Sequence, residues 1–188
     1  MTAETMDWPL PIAEKQFDNA AAVVAGLYTI PRTGWVQRGV DNPESVGQHT
    51  DALVTLAREL GPQIAGLDQK KLERMLQIHD WPEALVGDQV AFSSTEKQQK
   101  FLVERAAMQK ICAALGDEGA EIMNLWLEYT DGQTGEASIA KQLDKLQALM
   151  QATTYERAGQ TVRARDFVHY RAMITHPLLR QMLAELEK

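Results

Sequence analysis

Cysteine is nearly absent from this chain, which has a single one, Cys112, among 188 residues. No intrachain disulfide and no cysteine-based metal cluster can form from one thiol, which is typical of proteins in a reducing compartment, and we expect a cytoplasmic location. Long apolar runs are also missing, because no stretch of the sequence approaches the ~18 apolar residues that span a membrane. The amino-terminal residues lack a basic segment followed by an apolar run, so we expect no signal peptide.

Basic residues are fewer than acidic ones: the chain has 19 Lys and Arg residues and 26 Asp and Glu residues, which gives a formal net charge of −7. This balance argues against a DNA or RNA polymer as the main partner. A small phosphate ester remains a candidate substrate, because one bound cation can reverse the sign of the local charge at a site.

Strand patterns are lacking as well, since apolar residues recur at helical spacing along the chain. The spacing predicts helices over residues 14–28, 45–60, 68–79, 96–115, 119–129 and 136–157, with a last helix after Pro177. The length suits one well-buried domain and is too short for two. We therefore predict an all-α, single-domain bundle of about six or seven helices in residues 14–188, preceded by an extended lead-in over residues 1–13.

A histidine and an aspartate stand side by side in the segment IHDWPEALVGD, residues 78–88. His79 continues the apolar stripe of the predicted helix before it, so an imidazole and the neighbouring Asp80 carboxylate face the interior. Together they can serve as two ligands of a divalent metal ion. A structural alternative also fits the pattern, in which Asp80 caps a new turn with Glu83 three positions later.

Two further residues of metal-binding type point inward from other predicted helices. His49 lies on the apolar stripe of the helix over 45–60, and Asp144 lies beside the core stripe of the helix over 136–157. The structural alternatives are a hydrogen-bonded core histidine and an ion pair between Asp144 and a neighbouring lysine. Together with His79 and Asp80 they would form a mixed nitrogen and oxygen site, which suits Mn²⁺, Co²⁺, Fe²⁺, Ni²⁺ or Zn²⁺ better than Mg²⁺.

The order H…HD…D resembles that of the HD-domain metal-dependent phosphohydrolases. The segments PRTGW, PESVGQH, HDWPEALVGD, EYTDGQTGEA and QLDKLQALMQATTYE resemble the HD-domain 5′-deoxynucleotidases, helical proteins that remove phosphate from deoxynucleoside monophosphates. The resemblance covers roughly residues 16–188. It implies six site residues by position, namely the metal ligands His49, His79, Asp80 and Asp144, the catalytic carboxylate Glu83, and a second acid near the substrate, Asp88.

The loop over residues 31–49 is rich in groups that bind phosphate and stack on bases. We expect Arg32 or Arg38 to hold the phosphate, and we expect Trp35 to be exposed and to pack on the sugar or base. The alternative is a surface connection whose tryptophan packs on the bundle. In some members of the family the arginine and the tryptophan are adjacent, whereas Thr33 and Gly34 separate them here.

The resemblance also implies a single metal ion, because none of the four histidines lies between Asp80 and Asp144, where two-metal HD proteins have extra ligands. The expected activity is hydrolysis of (deoxy)nucleoside 5′-monophosphates to nucleoside and phosphate, by a homodimer. One alternative is hydrolysis of another phosphate ester, such as a cyclic phosphodiester or a triphosphate. The other is a regulatory module with a structural metal, against which Glu83 and Asp88 argue, because such a site needs no further acids.

Overall fold

The computed structural model describes residues 12–91 and 93–186, and within them the predicted all-α fold is confirmed, since no β-strand is present. Among the described residues, seven helices have eight residues or more: α1 (Ala20–Leu27), α3 (Val46–Leu60), α4 (Gln69–Ile78), α6 (Ser94–Ala114), α7 (Asp117–Asp131), α8 (Gly135–Arg157) and α10 (Pro177–Leu186). Shorter pieces are α2 (Thr33–Val36), α5 (Glu83–Val86), α9 (Val168–Met173) and the 3₁₀ turns Gly61–Gln63 and Ala164–Phe167. No described helix combines the length and the apolar composition that crossing a membrane requires.

Local capping chemistry sets where the helices begin. Ser45, the first residue of the predicted range 45–60, caps α3 and forms a capping box with Gln48. Helix α1 begins at Ala20 rather than at residue 14, because the side chain of Asn19 accepts a hydrogen bond from the backbone N–H of Ala22 and so ends the extended segment there. The predicted lead-in over residues 1–13 falls almost wholly outside the described residues.

The buried apolar side chains form two clusters, one joining α3, α4, α8 and α10 and the other joining α1, α5, α6 and α7. On α3, Val46 belongs to the second cluster and Leu53 to the first, so His49 lies where the clusters meet. The same change of cluster occurs at the end of α4, around His79. The polar motif residues therefore lie at the boundary between two hydrophobic layers, which bury His49 completely and leave the side chain of Asp80 16% exposed.

Helix α7 packs behind the HD segment and fixes its backbone. The buried indole of Trp126 donates a hydrogen bond of 3.1 Å to the carbonyl oxygen of His79. The approach of α7 to α6 depends on Gly119, because a Cβ at this position would lie 2.1 Å from the carbonyl oxygen of Cys112. Only a residue without a side chain allows this contact.

The close approach of α6 and α7 predicts that Gly119→Ala lowers the free energy of unfolding by about 2–3 kcal/mol, because backbone atoms must move apart to admit the methyl group. Gly135→Ala is the matched control, since a Cβ there would meet its nearest neighbour, Leu67 Cδ2, at an ordinary 3.6 Å. Urea unfolding followed by circular dichroism measures both variants. Equal stability of the two variants would contradict the packing described for Gly119.

Candidate metal centre and its cavity

Each histidine of the motif is oriented by a hydrogen bond at its Nδ1 atom. Nδ1 of His79 lies 2.7 Å from the carbonyl oxygen of Leu76, which can only accept, so this nitrogen carries the proton. Nδ1 of His49 lies 2.7 Å from Oε1 of Gln147, whose amide nitrogen in turn donates to Glu44. In their neutral forms both rings therefore present an unprotonated Nε2, which is the arrangement of a histidine that binds a metal.

These two Nε2 atoms face carboxylate oxygens. Nε2 of His49 lies 3.3 Å from Oδ1 of Asp144, and Nε2 of His79 lies 3.0 Å from Oδ2 of Asp80. Both Nε2 atoms are buried, and neither makes a hydrogen bond. The ligand atoms of His49, His79 and Asp144 all lie within 4.8 Å of one another. Imidazole lone pairs and carboxylate oxygens repel each other unless a positive charge lies between them, so these residues fit a divalent cation.

The electrostatics at this point favour a positive charge. Burial lowers the pKa of His79, but the charges of Asp80 and Asp144 outweigh burial and raise it. Burial raises the pKa of Asp144, but Lys145 and His49 outweigh it and hold this pKa well below its usual range. Lys145, the neighbouring lysine, does pair with Oδ2 of Asp144 at 2.6 Å, while the other oxygen faces His49. The ion-pair alternative thus accounts for only one of the two oxygens.

Asp80 contacts both histidines and an arginine and does not cap a helix. Its Oδ2 atom lies 3.9 Å from Nε2 of His49 and 3.4 Å from Nη1 of Arg32. The next short helix, α5, has Pro82 at its N-cap and no side-chain cap. The capping alternative for Asp80 is therefore wrong in this structure.

Glu83 begins α5 and is 3% exposed at the edge of the same group. Its Oε1 lies 3.5 Å from Nζ of Lys100, and its Oε2 makes no hydrogen bond. Burial, together with the negative charges of Asp80 and Asp88, raises the pKa of Glu83 well above its usual value in spite of Lys100. The protonated carboxyl therefore persists to a higher pH than in a free glutamate.

Asp88, in the segment after α5, is hydrogen-bonded to the loop that carries Arg32. Its Oδ2 accepts a hydrogen bond of 2.6 Å from the backbone N–H of Thr33, and the hydroxyl of Thr33 donates to the carbonyl oxygen of Asp88 at 2.7 Å. This pair of bonds places Arg32, the preceding residue, beside Asp80. Asp88 thus acts on the site partly through the position of Arg32.

The predicted exposure of Trp35 is wrong, because the side chain is only 3% exposed. Its ring packs edge-on against Tyr155 and Phe167, with centroids 5.4 and 5.3 Å away, and its indole N–H donates to Glu44 at 3.0 Å. The alternative in which the tryptophan packs on the bundle is the observed arrangement. Trp35 nevertheless lines the cavity described below, so its contact with the substrate stays a prediction.

A cavity of about 460 Å³ opens over these residues, which is within the ~300–1,000 Å³ typical of small-molecule sites. The cations among its described lining residues outnumber the four carboxylates, in a chain of net charge −7. These five cations are Arg32, Arg38, Lys97, Lys100 and Lys145. The lining of the cavity therefore carries a small excess of positive charge, which attracts an anionic ligand.

Gln147 and Lys100 lie at the site although the sequence did not point to them, and Lys145 was expected there only as a possible ion-pair partner of Asp144. Nζ of Lys100 donates to the carbonyl oxygen of Gln89 at 2.7 Å and so is held next to Glu83. A lysine on an amphipathic helix carries no sequence signal of such a position, because solvated lysines occur with the same spacing. Gln147, three residues after Asp144 on the inward side of α8, was the one with a usable signal, since a buried amide needs partners.

The helical bundle and its histidine–aspartate group are those of a known protein family. The HD domain family matches residues 24–181, which is most of the chain. The chain therefore belongs to the HD-domain family of metal-dependent phosphohydrolases.

Individual relatives agree with this family. The 5′-deoxynucleotidase HDDC2 of Dictyostelium discoideum is 34% identical over 173 residues, covering 86% of this chain and 91% of that protein. The 5′-deoxynucleotidase HDDC2 of Homo sapiens is 33% identical over 168 residues, covering 88% of this chain and 81% of that protein. The crystal structure of the PH0347 protein from Pyrococcus horikoshii OT3 matches with a TM-score of 0.70 and 27% identity, covering 88% of this chain and 93% of that one.

The role of Gln147 in orienting His49 predicts that Gln147→Leu weakens metal binding by about 10–100-fold, because the ring loses the acceptor that fixes its tautomer and direction. Competition with a chromophoric chelator measures the affinity. Gln142→Leu is the matched control on α8, since its amide oxygen accepts from the backbone of Thr175 and His176 instead. Equal affinities in the two variants would show that packing alone orients His49.

Proposed function

We propose that this chain is a metal-dependent phosphoric monoester hydrolase that releases phosphate from (deoxy)nucleoside 5′-monophosphates. The observation that carries the proposal is the pair of buried Nε2 atoms that face Asp80 and Asp144 without hydrogen bonds, at a cavity lined by an excess of cations. The relatives named 5′-deoxynucleotidase support the nucleotide as substrate.

In this proposal His49, His79, Asp80 and Asp144 hold one divalent ion. The mixed nitrogen and oxygen donors suit Mn²⁺, Co²⁺, Fe²⁺, Ni²⁺ or Zn²⁺ better than Mg²⁺. A bound ion supplies Lewis-acid activation of the phosphate and of a water molecule. Asp88 and Glu83 remain outside this ligand group in the proposal and act on the substrate side of the cavity.

Arg32, rather than Arg38, is the proposed phosphate-binding arginine. Its guanidinium lies beside Asp80, and although burial lowers its pKa, the charges of Asp80, Asp88 and Asp144 outweigh burial and raise it, so that it stays charged. Arg38 lies farther from the carboxylates, with its guanidinium 4.6 Å from the ring of Phe167. A guanidinium next to the metal ligands can bind two phosphate oxygens at once.

Glu83 is the proposed general acid, which protonates the leaving 5′-oxygen. A carboxyl whose pKa is raised by burial and by neighbouring carboxylates can donate a proton at a pH where Asp144 is ionised. Lys100 holds the other side of Glu83 and limits its motion. Asp88 is the proposed second acid, which positions Arg32 through Thr33.

The proposal also includes assembly as a homodimer in the cytoplasm. The dimer rests on the family resemblance. The cytoplasmic location rests on the single cysteine, which is buried at the α6–α7 contact. Light scattering of the purified protein distinguishes a dimer from a monomer.

The deciding experiment measures phosphate release by metal-stripped protein that is resupplied with Mn²⁺ or Co²⁺. Substrates are matched deoxy- and ribonucleoside 5′-monophosphates, a cyclic nucleotide and a triphosphate, with Asp80→Ala as the variant. We expect metal-dependent release from the monophosphates and none from the variant, because Asp80 contacts both imidazoles and Arg32. Hydrolysis of the cyclic nucleotide or the triphosphate alone, monitored by chromatography of the nucleotide products because ring opening releases no phosphate, would refute the proposed substrate, and activity without metal would refute the metal centre.

The proton-donor role predicts that Glu83→Gln keeps its metal and loses about 10²–10⁴-fold in kcat. A general acid must carry its proton, and the protonated fraction falls as the pH rises through its pKa. The parent kcat should therefore decline on the alkaline side, at a higher pH than a free glutamate would allow, and Glu83→Gln should lack this decline. Glu104→Gln is the control, because it removes the other acidic partner of Lys100 at 3.2 Å and should keep most of the activity.

A further inference from the structure

Helix α9 buries none of its residues, although it carries large apolar and aromatic side chains. His169, Tyr170 and Met173 of this helix line the cavity, and Met173 is 50% exposed. Leaving such side chains in water is unfavourable, and a cluster of them at a cavity marks a ligand-binding surface. The proposed phosphate and metal chemistry makes no use of them.

Contacts connect this surface to the candidate metal centre. Nζ of Lys145 lies 2.6 Å from Oδ2 of Asp144 and 4.9 Å from the centre of the Tyr170 ring. The Tyr170 ring is therefore separated from a candidate metal ligand by a single lysine side chain. A phosphate bound near Asp144 and Arg32 would leave the rest of its ester to fill the part of the cavity beside Tyr170.

Tyr170 packs on buried aromatic rings. The ring of Phe167, which is 4% exposed, lies 5.5 Å from that of Tyr170 and 5.3 Å from that of Trp35. The imidazole of His169 lies edge-on to Tyr170 with centroids 4.3 Å apart. Phe167, which itself packs on Trp35, thus supports Tyr170, while Tyr170 is half-buried and His169 is exposed at the cavity.

We propose that His169, Tyr170 and Met173 form a nucleobase subsite, in which the Tyr170 ring is the stacking surface. The proposal rests on the proposed function, from which it takes the position of the phosphate. Stacking on an aromatic ring accepts every base, because each base has a π-face. The thioether of Met173 adapts to bases of different size, so the subsite tolerates both purines and pyrimidines.

The test compares two phosphate monoesters, deoxyadenosine 5′-monophosphate and 2-deoxyribose 5-phosphate, which lacks the base. Tyr170→Leu should raise KM for the nucleotide about tenfold, the effect of losing one stacked base, and leave kcat/KM for the baseless ester unchanged. Tyr170→Phe keeps the ring and should retain the parent KM for the nucleotide. An aryl phosphate is unsuitable as the small ester, because its own ring would stack.

Val168→Ala is the matched control, since this residue of the same helix is 67% exposed and does not line the cavity. It should leave both substrates unaffected. Equal losses on the two substrates in Tyr170→Leu would assign the residue to phosphate binding through Lys145, and an unchanged KM for the nucleotide would exclude stacking. Either result overturns the proposed subsite.

A binding measurement separates this proposal from the proposed function. Calorimetric titration with deoxyadenosine 5′-monophosphate is carried out on the parent protein, on Tyr170→Leu and on Val168→Ala. If the parent protein hydrolyses neither ester, the proposed function fails, while nucleotide binding that weakens only in Tyr170→Leu still supports the subsite. Absence of nucleotide binding to the parent protein, or equal binding by all three, overturns it.

Discussion

Two imidazole lone pairs and two carboxylates meet at one buried point of this protein, and such a group is stable only around a positive charge. The hydrogen bonds from His79 to the carbonyl of Leu76 and from His49 to Gln147 fix the rings so that both Nε2 atoms face this point. Burying charge without a partner is costly. The carboxylates therefore need nearby positive charge. Lys145 beside Asp144 supplies part of it, and the metal ion on which the HD-domain family depends would supply the rest.

The carboxylates around the cavity behave differently because their surroundings differ. Asp144 has Lys145 and His49 as partners, which keep its pKa low against the effect of burial. Glu83 lies deeper, next to other acids and with one oxygen unpaired, so its pKa is raised. Separated pKa values among neighbouring acids are what a site needs to bind a cation with one carboxylate and deliver a proton with another.

Much of the fold was predictable, because helix periodicity and capping are local properties. The inward direction of His49 and His79 follows from spacing alone, and the start of α3 at Ser45 follows from its side-chain oxygen, which accepts a hydrogen bond from the first turn. The start of α1 was placed too early because the apolar stripe extends beyond the cap at Asn19, where a side-chain hydrogen bond competes with the helix. Trp35 was expected in solvent because a loop rich in glycine and proline gives no sign of what packs against it.

The sequence by itself determined the helical bundle and the residue types that face its interior, since both depend on neighbours within a few positions along the chain. Tertiary structure decided which of these residues meet: it brought Gln147 onto His49 from a helix far away in the chain, and it packed α6 so that Lys100 reaches Glu83. It also buried Trp35 and left Tyr170 half-buried in the lining of the cavity. The physical reason is that the burial, charge environment and exposure of a side chain depend on the packing of distant segments, which no local pattern records.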